Sequence, residues 1–285
     1  MITVTAASGK FGHLVIEDLI ERGVPAADIV AAVRNPAAAG DLAARGVAVR
    51  AADYSQPDTL ASALTGAETL LFISGSEVGQ RIPQHQNVID AAVAAGVRRI
   101  VYTSILRADT SALGLAAEHL VTENSIRESG LPYAFLRNSW YLENYTENLA
   151  PALEHGAILG SSGDGRVAAA TRADYAAAAA AVLTEPGPDN TAYELGGDEP
   201  FSMAELAAEV SKQTGVSVVY RDLPVADYAA ALVTAGLPEV VADRLAASSA
   251  GLGQGELDTD SHDLSRLIGR PTTSLADAVA TALKS

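Results

Sequence analysis

Short apolar runs alternate with helix-like segments through the first 136 residues of the chain. Each run has four or five residues, which suits a buried strand better than a helix. Five segments between the runs have helical spacing, with Pro near several starts and Gly after several ends. The predicted strands are Ile2–Thr5, Ile29–Val33, Val47–Ala51, Thr69–Ile73, Arg99–Thr103 and Tyr133–Leu136. The predicted helices are Gly12–Arg22, Pro36–Arg45, Pro57–Leu64, Pro83–Ala95 and Leu115–Ser129.

Strands that are each separated by one helix indicate βαβ units with right-handed crossovers. The pattern therefore predicts an α/β fold built on a parallel, doubly wound sheet. After Leu136 the regular alternation of apolar runs and helix-like segments ends, and we expect a smaller α+β lobe that returns strands to the main sheet. Helices are predicted there over Ser139–Leu153, Ala173–Leu183, Ser202–Thr214, Asp227–Ala235, Glu239–Ala247 and Leu275–Leu283, and strands over Ala192–Leu195 and Val216–Tyr220.

We place the division at residues 1–139, a nucleotide-binding domain, and 140–285, a lobe that binds the substrate. No Pro- or Ser-rich linker joins the two parts, so we do not expect the lobe to fold independently. Nor does the chain contain an internal repeat.

Composition narrows the possible functions. Hydrophobic residues make up 48% of the chain, enough for a sizeable core, and 35 acidic against 19 basic residues give a net charge of −16. Such a charge disfavours nucleic acids and anionic membrane surfaces as partners. With no Cys, disulfides, thiolate nucleophiles and Cys-bound metals are excluded. No signal-peptide pattern and no membrane-spanning apolar stretch is visible, so we expect a cytoplasmic protein.

A glycine-containing loop follows the first predicted strand. It reads Ala6-Ala7-Ser8-Gly9-Lys10-Phe11-Gly12, directly before the first helix. Glycines at this place let the backbone approach a pyrophosphate, and the helix N-terminus offers free N–H groups. An ordinary tight turn is the alternative, but the position favours nucleotide binding and a sheet of the Rossmann type.

Arg34 ends the second predicted strand, with no carboxylate beside it in the sequence. Folds that prefer NAD place an acidic residue there, on the ribose 2′-hydroxyl, whereas an Arg suits the 2′-phosphate of NADP. A solvated surface Arg is the alternative. Asp53 ends the third strand, where it could accept from the adenine amino group or simply cap its own turn.

Small polar residues follow the next two strands. Ser74-Gly75-Ser76 comes after the fourth strand and Thr103-Ser104 after the fifth. Both groups are expected at the carboxyl edge of the sheet, where the nicotinamide half of a dinucleotide would lie. Ordinary loop formation explains each of them equally well.

Two familiar kinds of catalytic site are missing from the sequence. No Tyr has a Lys four residues on, so the acid that many short-chain dehydrogenases use on simple ketones is absent. No Gly-x-Ser-x-Gly elbow indicates a hydrolase. Without that acid, hydride transfer favours an acceptor that is already strongly electrophilic, such as a quinone.

The five His residues form no metal-ligand pattern, so no catalytic metal is expected. His85 stands near the start of a helix that faces the cofactor edge, where it touches a ligand, caps the helix or is exposed to solvent. The segment from Asn138 to Asn144 contains the only Trp, Trp140, beside Tyr141. Trp140, Tyr141 and Asn144 are candidates to hold a flat acceptor, and Tyr141 is the one candidate catalytic residue; packing of Trp140 between the two parts is the alternative.

Segments spread over nearly the whole chain resemble the NADPH-dependent quinone oxidoreductases, which are atypical short-chain dehydrogenases of the NmrA-like group. The resemblance rests on the glycine loop and on the segments 33–36, 76–81, 83–85, 136–141, 170–175 and 267–273. It implies that the glycine loop and Arg34 hold NADP(H). It also implies that the nicotinamide side is lined by Ser74, Gly75, Ser76, Asn138, Ser139, Trp140, Tyr141, Leu142 and Glu143, with Ala170 and Thr171 closing over it.

The resemblance further implies hydride transfer to a quinone-like small molecule without the Tyr/Lys pair. Ala6 departs from the family, which has Gly at this place, and Asn124 stands where relatives commonly carry Lys. Three interpretations stay open: a quinone reductase, a reductase of another conjugated acceptor such as a dye, and a dinucleotide-sensing regulator without turnover. A homodimer stays open too.

Overall fold

Seven strands form one parallel sheet at the centre of the computed structural model, which describes residues 1–77, 79–147, 149–185 and 187–284. Their order is β3-β2-β1-β4-β5-β6-β9, so the order reverses between β1 and β4. The carboxyl ends of these two strands therefore flank a crevice, where doubly wound sheets bind their ligands. The strands are β1 Ile2–Thr5, β2 Ile29–Val33, β3 Ala48–Ala51, β4 Thr69–Phe72, β5 Arg99–Ile105, β6 Tyr133–Asn138 and β9 Thr191–Leu195.

Helices cover both faces of this sheet. One face packs on α1 and α8 through a core that includes Val15, Leu19, Tyr175 and the small alanines of α8. The other face packs on α3, α4 and α5 around Phe72, Tyr102 and Phe135. The helices around the sheet are α1 Lys10–Glu21, α2 Gly40–Ala44, α3 Pro57–Ala63, α4 Arg81–Ala94, α5 Gly114–Glu128 and α8 Arg172–Thr184. The predicted parallel, doubly wound sheet is confirmed.

The second part of the chain supplies a third core around Trp140, Phe201 and Leu252. Two of its elements, α8 and β9, return to the central sheet, so this part shares a core with the first. Its remaining elements are α6 Glu143–Thr146, α7 Ala150–His155, β7 Ala157–Gly160, β8 Arg166–Val167, β10 Phe201–Ser202, α9 Met203–Thr214, β11 Val219–Asp222, α10 Val225–Thr234, α11 Glu239–Gly253, α12 Asp263–Ile268 and α13 Leu275–Ala282.

The helix predicted over Ser139–Leu153 is wrong. Ser139 donates its N–H to the Leu195 carbonyl at 2.8 Å, and Tyr141 forms an isolated parallel bridge with Ala170. These contacts keep the chain extended past β6, so the helix is replaced by the short α6 and α7. Asn148 of the predicted helix, and Val78 of the segment 76–81, lie outside the described residues.

Other element boundaries shift by a few residues. The helix predicted over Pro36–Arg45 is a 3-10 turn over Pro36–Ala39 followed by α2. α4 begins at Arg81 rather than Pro83, because a Pro in the first turn of a helix removes no intrahelical hydrogen bond. Within the described ranges, no helix is long and apolar enough to cross a membrane.

A buried ion cluster joins α5 to the end of β6. The Glu123 carboxylate is fully buried and accepts from the Ser104 hydroxyl at 2.6 Å and from Arg137 Nε and Nη2 at 2.9 and 2.7 Å. Arg127 donates to the same carboxylate at 3.0 Å, and Arg137 also reaches Glu194 at 2.8 Å. This satisfied cluster fixes the strand that leads directly into Asn138 and Tyr141.

We predict that Glu123→Ala lowers the free energy of unfolding by about 3–5 kcal/mol, since it leaves the buried Arg137 guanidinium without its main partner. Urea unfolding measures this loss. The matched control is Glu128→Ala, an exposed Glu on the same helix, which should change stability by less than about 0.5 kcal/mol. Equal losses in the two variants would contradict the structural role of the cluster.

Candidate functional site

The turn between β1 and α1 is unusually tight. Ala6 lies in the left-handed region with a φ of 48°, and its carbonyl accepts the Gly9 N–H at 3.0 Å. A Cβ added at Gly12 would lie 2.8 Å from both the Ala6 carbonyl oxygen and the Ala7 Cα. Only Gly fits there, because both neighbours are backbone atoms. The contact holds the first turn of α1 directly against the end of β1.

The N-terminus of α1 offers hydrogen-bond donors without partners inside the helix. Its first intrahelical bond runs from the His13 N–H to the Gly9 carbonyl at 3.0 Å. The N–H groups of Lys10, Phe11 and Gly12 precede that bond, and no acidic residue occupies the first turn. Such a helix end attracts anions through its free donors and its positive dipole end.

A groove with a volume of about 380 Å³ runs along this edge of the sheet. The sequence predicted many of its lining residues, namely Ala6, Ser8, Gly9, Lys10, Phe11, Gly12, Arg34, Asp53, Ser74, Gly75 and Ser76. Sequence reasoning missed the rest of the lining, which is Ala52, Tyr54, Ile73, Glu77, Gln84 and Arg172. Most of these missed residues adjoin a predicted one in the chain, which is the signal that could have found them.

At the β2 end of the groove, Arg34 has a carboxylate partner that comes from a distant part of the sequence. Its Nη1 donates to Glu77 Oε1 at 3.1 Å, and Gln84 Nε2 donates to Glu77 Oε2 at 2.8 Å. Glu77 is 43 residues from Arg34 and arrives in the loop after β4, so local sequence could not reveal the pair. The Arg34 side chain remains 71% exposed.

Asp53 caps its own turn, which is one of the two roles considered for it. Its Oδ1 accepts from the Ser55 N–H at 2.8 Å and from the Ser55 hydroxyl at 2.6 Å. These hydrogen bonds hold the pKa of the Asp53 carboxyl below its usual value. Asp53 still lines the groove, close to the end of β3.

Buried side chains shape the wall formed by Ser74, Gly75 and Ser76. Thr103 Oγ1 accepts the Ser74 N–H at 2.8 Å, and His85 Nε2 accepts the Gly75 N–H at 2.9 Å. His85 Nδ1 lies 2.9 Å from Thr122 Oγ1, so both ring nitrogens are engaged within the protein. Burial lowers the pKa of His85 to about 2, which keeps the ring neutral. At 1% exposure His85 supports the loop and is not among the residues that line the groove, and its contact with a substrate stays a prediction.

The segment after β6 lies on the side of α1. Tyr141 is outside the groove lining, but its ring centroid lies 6.2 Å from that of Phe11, which lines it. Trp140 instead packs against the third core, the alternative considered for it. Ser139 and Leu142 are buried, and the Ser139 hydroxyl donates to the Leu257 carbonyl at 2.9 Å.

One polar atom in this segment has no partner. Asn138 Oδ1 is buried and makes no hydrogen bond with the described residues, although its side chain is only 6% exposed. An unpaired buried acceptor is costly, so it suits a ligand that brings an N–H donor. Nearby, burial raises the pKa of Tyr141 to about 12, opposed by the charge of Arg172.

Arg172 connects the second part of the chain to the groove. It follows Thr171, the N-cap of α8, and its guanidinium carbon lies 4.9 Å from the Tyr141 ring centroid. Nη1 donates to Glu147 Oε1 at 2.5 Å, and Glu147 also accepts from Lys10 Nζ at 2.9 Å.

Two more side chains, one acidic and one amide, contact Arg172. Glu143 accepts the Arg172 backbone N–H at 2.8 Å, and Asn144 Oδ1 lies 3.4 Å from Arg172 Nη2. Ala170 is buried beside the Tyr141 bridge. Across the ranges that the structure covers, no three His, Asp or Glu side chains converge in a way that could hold a metal ion.

Known proteins resemble the chain along its whole length. The model of the NmrA-like family matches residues 1–276. Quinone oxidoreductase 2 of Escherichia coli K12 is 56% identical over 98% of each chain. The crystal structure of the E. coli NADPH-dependent quinone oxidoreductase complexed with NADPH superposes with a TM-score of 0.97 at 55% identity, covering 99% of this chain and 100% of that one. The Citrobacter sp. triphenylmethane reductase complexed with NADP(H) gives 0.95 at 42% identity, covering 99% and 100%.

We predict that Ala6→Gly raises the free energy of unfolding by about 1 kcal/mol. A Cβ in the left-handed region costs about 1–2 kcal/mol, and the greater entropy of the unfolded chain with Gly cancels only part of the gain from removing it. Denaturant titration measures the change. Ala38→Gly is the control, since Ala38 is exposed and lacks a positive φ; it should lower stability. If Ala6→Gly lowered the free energy of unfolding as much as Ala38→Gly does, the backbone at Ala6 would not be strained.

Proposed function

The chain belongs to the NmrA-like family, and on that premise we propose that it is an NADPH-dependent reductase of quinones. The observation that carries the proposal is the cradle at Gly12, where the backbone of β1 and the N-terminus of α1 meet without room for a side chain. This contact places the N-terminus of α1 on the groove, where a diphosphate can bind because the free N–H donors and the helix dipole both favour its charge. The E. coli relative that shares 55% of its residues with this chain is complexed with NADPH.

The remaining groove residues suit the other parts of NADPH. Arg34 stands at the end of β2, where it can bind the 2′-phosphate with charge-assisted hydrogen bonds. Asn138 Oδ1 would accept from the carboxamide of the nicotinamide, which would satisfy its unpaired position. Ser74 and Ser76 would lie along the ribose and nicotinamide between these two ends.

Bound NADPH supplies a hydride, which together with one proton converts a quinone to a hydroquinone. We propose that none of the residues that the structure describes acts as a dedicated acid for that proton. Burial raises the pKa of Tyr141 to about 12, so its hydroxyl stays protonated at neutral pH and is poorly matched to general acid catalysis. We assign Tyr141 the role of orienting an acceptor, and water protonates the product.

The acceptor is proposed to be a flat, conjugated electrophile. The E. coli relative at 56% identity is named a quinone oxidoreductase. The Citrobacter relative at 42% identity is a triphenylmethane reductase, which keeps dyes as the second candidate class. Anaerobic NADPH oxidation against quinones, dyes and ketones distinguishes the candidates, with NADPH binding measured in parallel. Tight binding without turnover on any acceptor would instead support a dinucleotide sensor.

We predict that Arg34→Ala weakens NADPH binding about tenfold or more, since a charge-assisted phosphate contact is worth about 1.5–3 kcal/mol. NADH affinity should stay nearly unchanged, because NADH lacks the 2′-phosphate. Isothermal titration calorimetry with both cofactors gives the two constants. Equal losses for the two cofactors would rule out the 2′-phosphate contact.

We predict that Tyr141→Phe changes acceptor affinity more than the rate of hydride transfer. The phenol is not the proton donor, and a true general acid would contribute about 10²–10⁴-fold to the rate. Single-turnover NADPH oxidation at saturating quinone, followed from pH 6 to 9, measures the step. A hundredfold slower step, with loss of a basic limb from the pH profile, would mean that Tyr141 is the acid and the mechanism is wrong.

A further inference from the structure

The cationic side chains of the groove are already neutralised by carboxylates. Glu77 accepts from Arg34 at 3.1 Å at one end, and Glu147 accepts from Lys10 at 2.9 Å at the other. The chain as a whole is strongly acidic, with a net charge of −16. A phosphate that enters the groove therefore meets each cation with a carboxylate beside it.

Glu77 is held in place by more than its ion pair. Gln84 projects from α4 into the groove lining and donates to the second Glu77 oxygen at 2.8 Å. One carboxylate oxygen thus faces Arg34 and the other is anchored to a helix. This bridge lies across the groove between the ends of β2 and β4, and a carboxylate there occupies donors that a phosphate would use.

We propose that Glu77 is a latch, a carboxylate that competes with the 2′-phosphate for Arg34. This competition limits how strongly the protein prefers NADPH over NADH. The proposal rests on the proposed function. Binding of NADPH exchanges the Glu77 carboxylate for phosphate oxygens on Arg34 and leaves a like charge nearby. NADH makes no such exchange, because its 2′-hydroxyl does not require Arg34 to leave its partner.

The two ends of the groove provide a matched comparison. Glu77→Gln keeps the shape of the side chain and its hydrogen bond to Gln84 while it removes the charge. We expect NADPH and 2′,5′-ADP to bind about three to ten times more tightly, and NADH and 5′-AMP to change less than about twofold, as for an exposed ion pair with added repulsion. Glu147→Gln acts at the diphosphate end, which is common to both cofactors, and should change NADPH and NADH affinity by the same factor.

Calorimetric titration of wild type, both variants and Arg34→Ala/Glu77→Gln gives the test without any turnover. In the double variant the gain from Glu77→Gln should shrink to the part that comes from removed repulsion, because no guanidinium remains to be released, and an undiminished gain would contradict competition for Arg34. Weaker NADPH binding by Glu77→Gln would mean that Glu77 positions Arg34, and equal gains for NADPH and NADH would mean a general charge effect; either result overturns the latch. If wild type binds NADPH well but Glu77→Gln leaves the preference unchanged, only the latch fails. If wild type binds neither dinucleotide, the proposed function fails and the latch with it.

Discussion

The close approach of α1 to the end of β1 is the constraint on which the site depends. Gly12 allows this approach, because a Cβ at this residue would lie 2.8 Å from the Ala6 carbonyl oxygen and from the Ala7 Cα. Lys10, Phe11 and Gly12, whose N–H groups have no partner within the helix, line the groove beside this contact, and Ala6 has a positive φ. The reversal of strand order between β1 and β4 then opens the crevice beside it.

An acidic protein that binds a multiply charged anion has to concentrate its few cations. Lys10, Arg34 and Arg172 all line the groove, and each is paired with a Glu in the structure. Such pairs limit the local positive potential and keep the side chains ordered at a small energetic cost. Discrimination between anions then depends on which of these ion pairs a ligand can break by replacing the Glu carboxylate, rather than on net charge.

Much of this arrangement follows from local sequence. The central strands, the glycine loop and Arg34 were predictable, because apolar runs and loop positions depend on neighbours in the chain. Glu77 on Arg34 and Glu147 on Lys10 were not, since these pairs join residues 43 and 137 positions apart. The extended path after β6 was missed for the same reason: the bridge between Tyr141 and Ala170 overrides the helical pattern of residues 139–153.

NADPH bound in the groove is proposed to transfer its hydride directly to a quinone. Anaerobic single-turnover reaction with NADPH deuterated stereospecifically at nicotinamide C4 tests it directly. Direct hydride transfer predicts that deuterium on one face only slows the reaction, as a primary isotope effect, with one hydroquinone formed per NADPH. The same rate for both deuterated faces and the unlabelled cofactor, or oxidation that requires an added electron carrier, would contradict it.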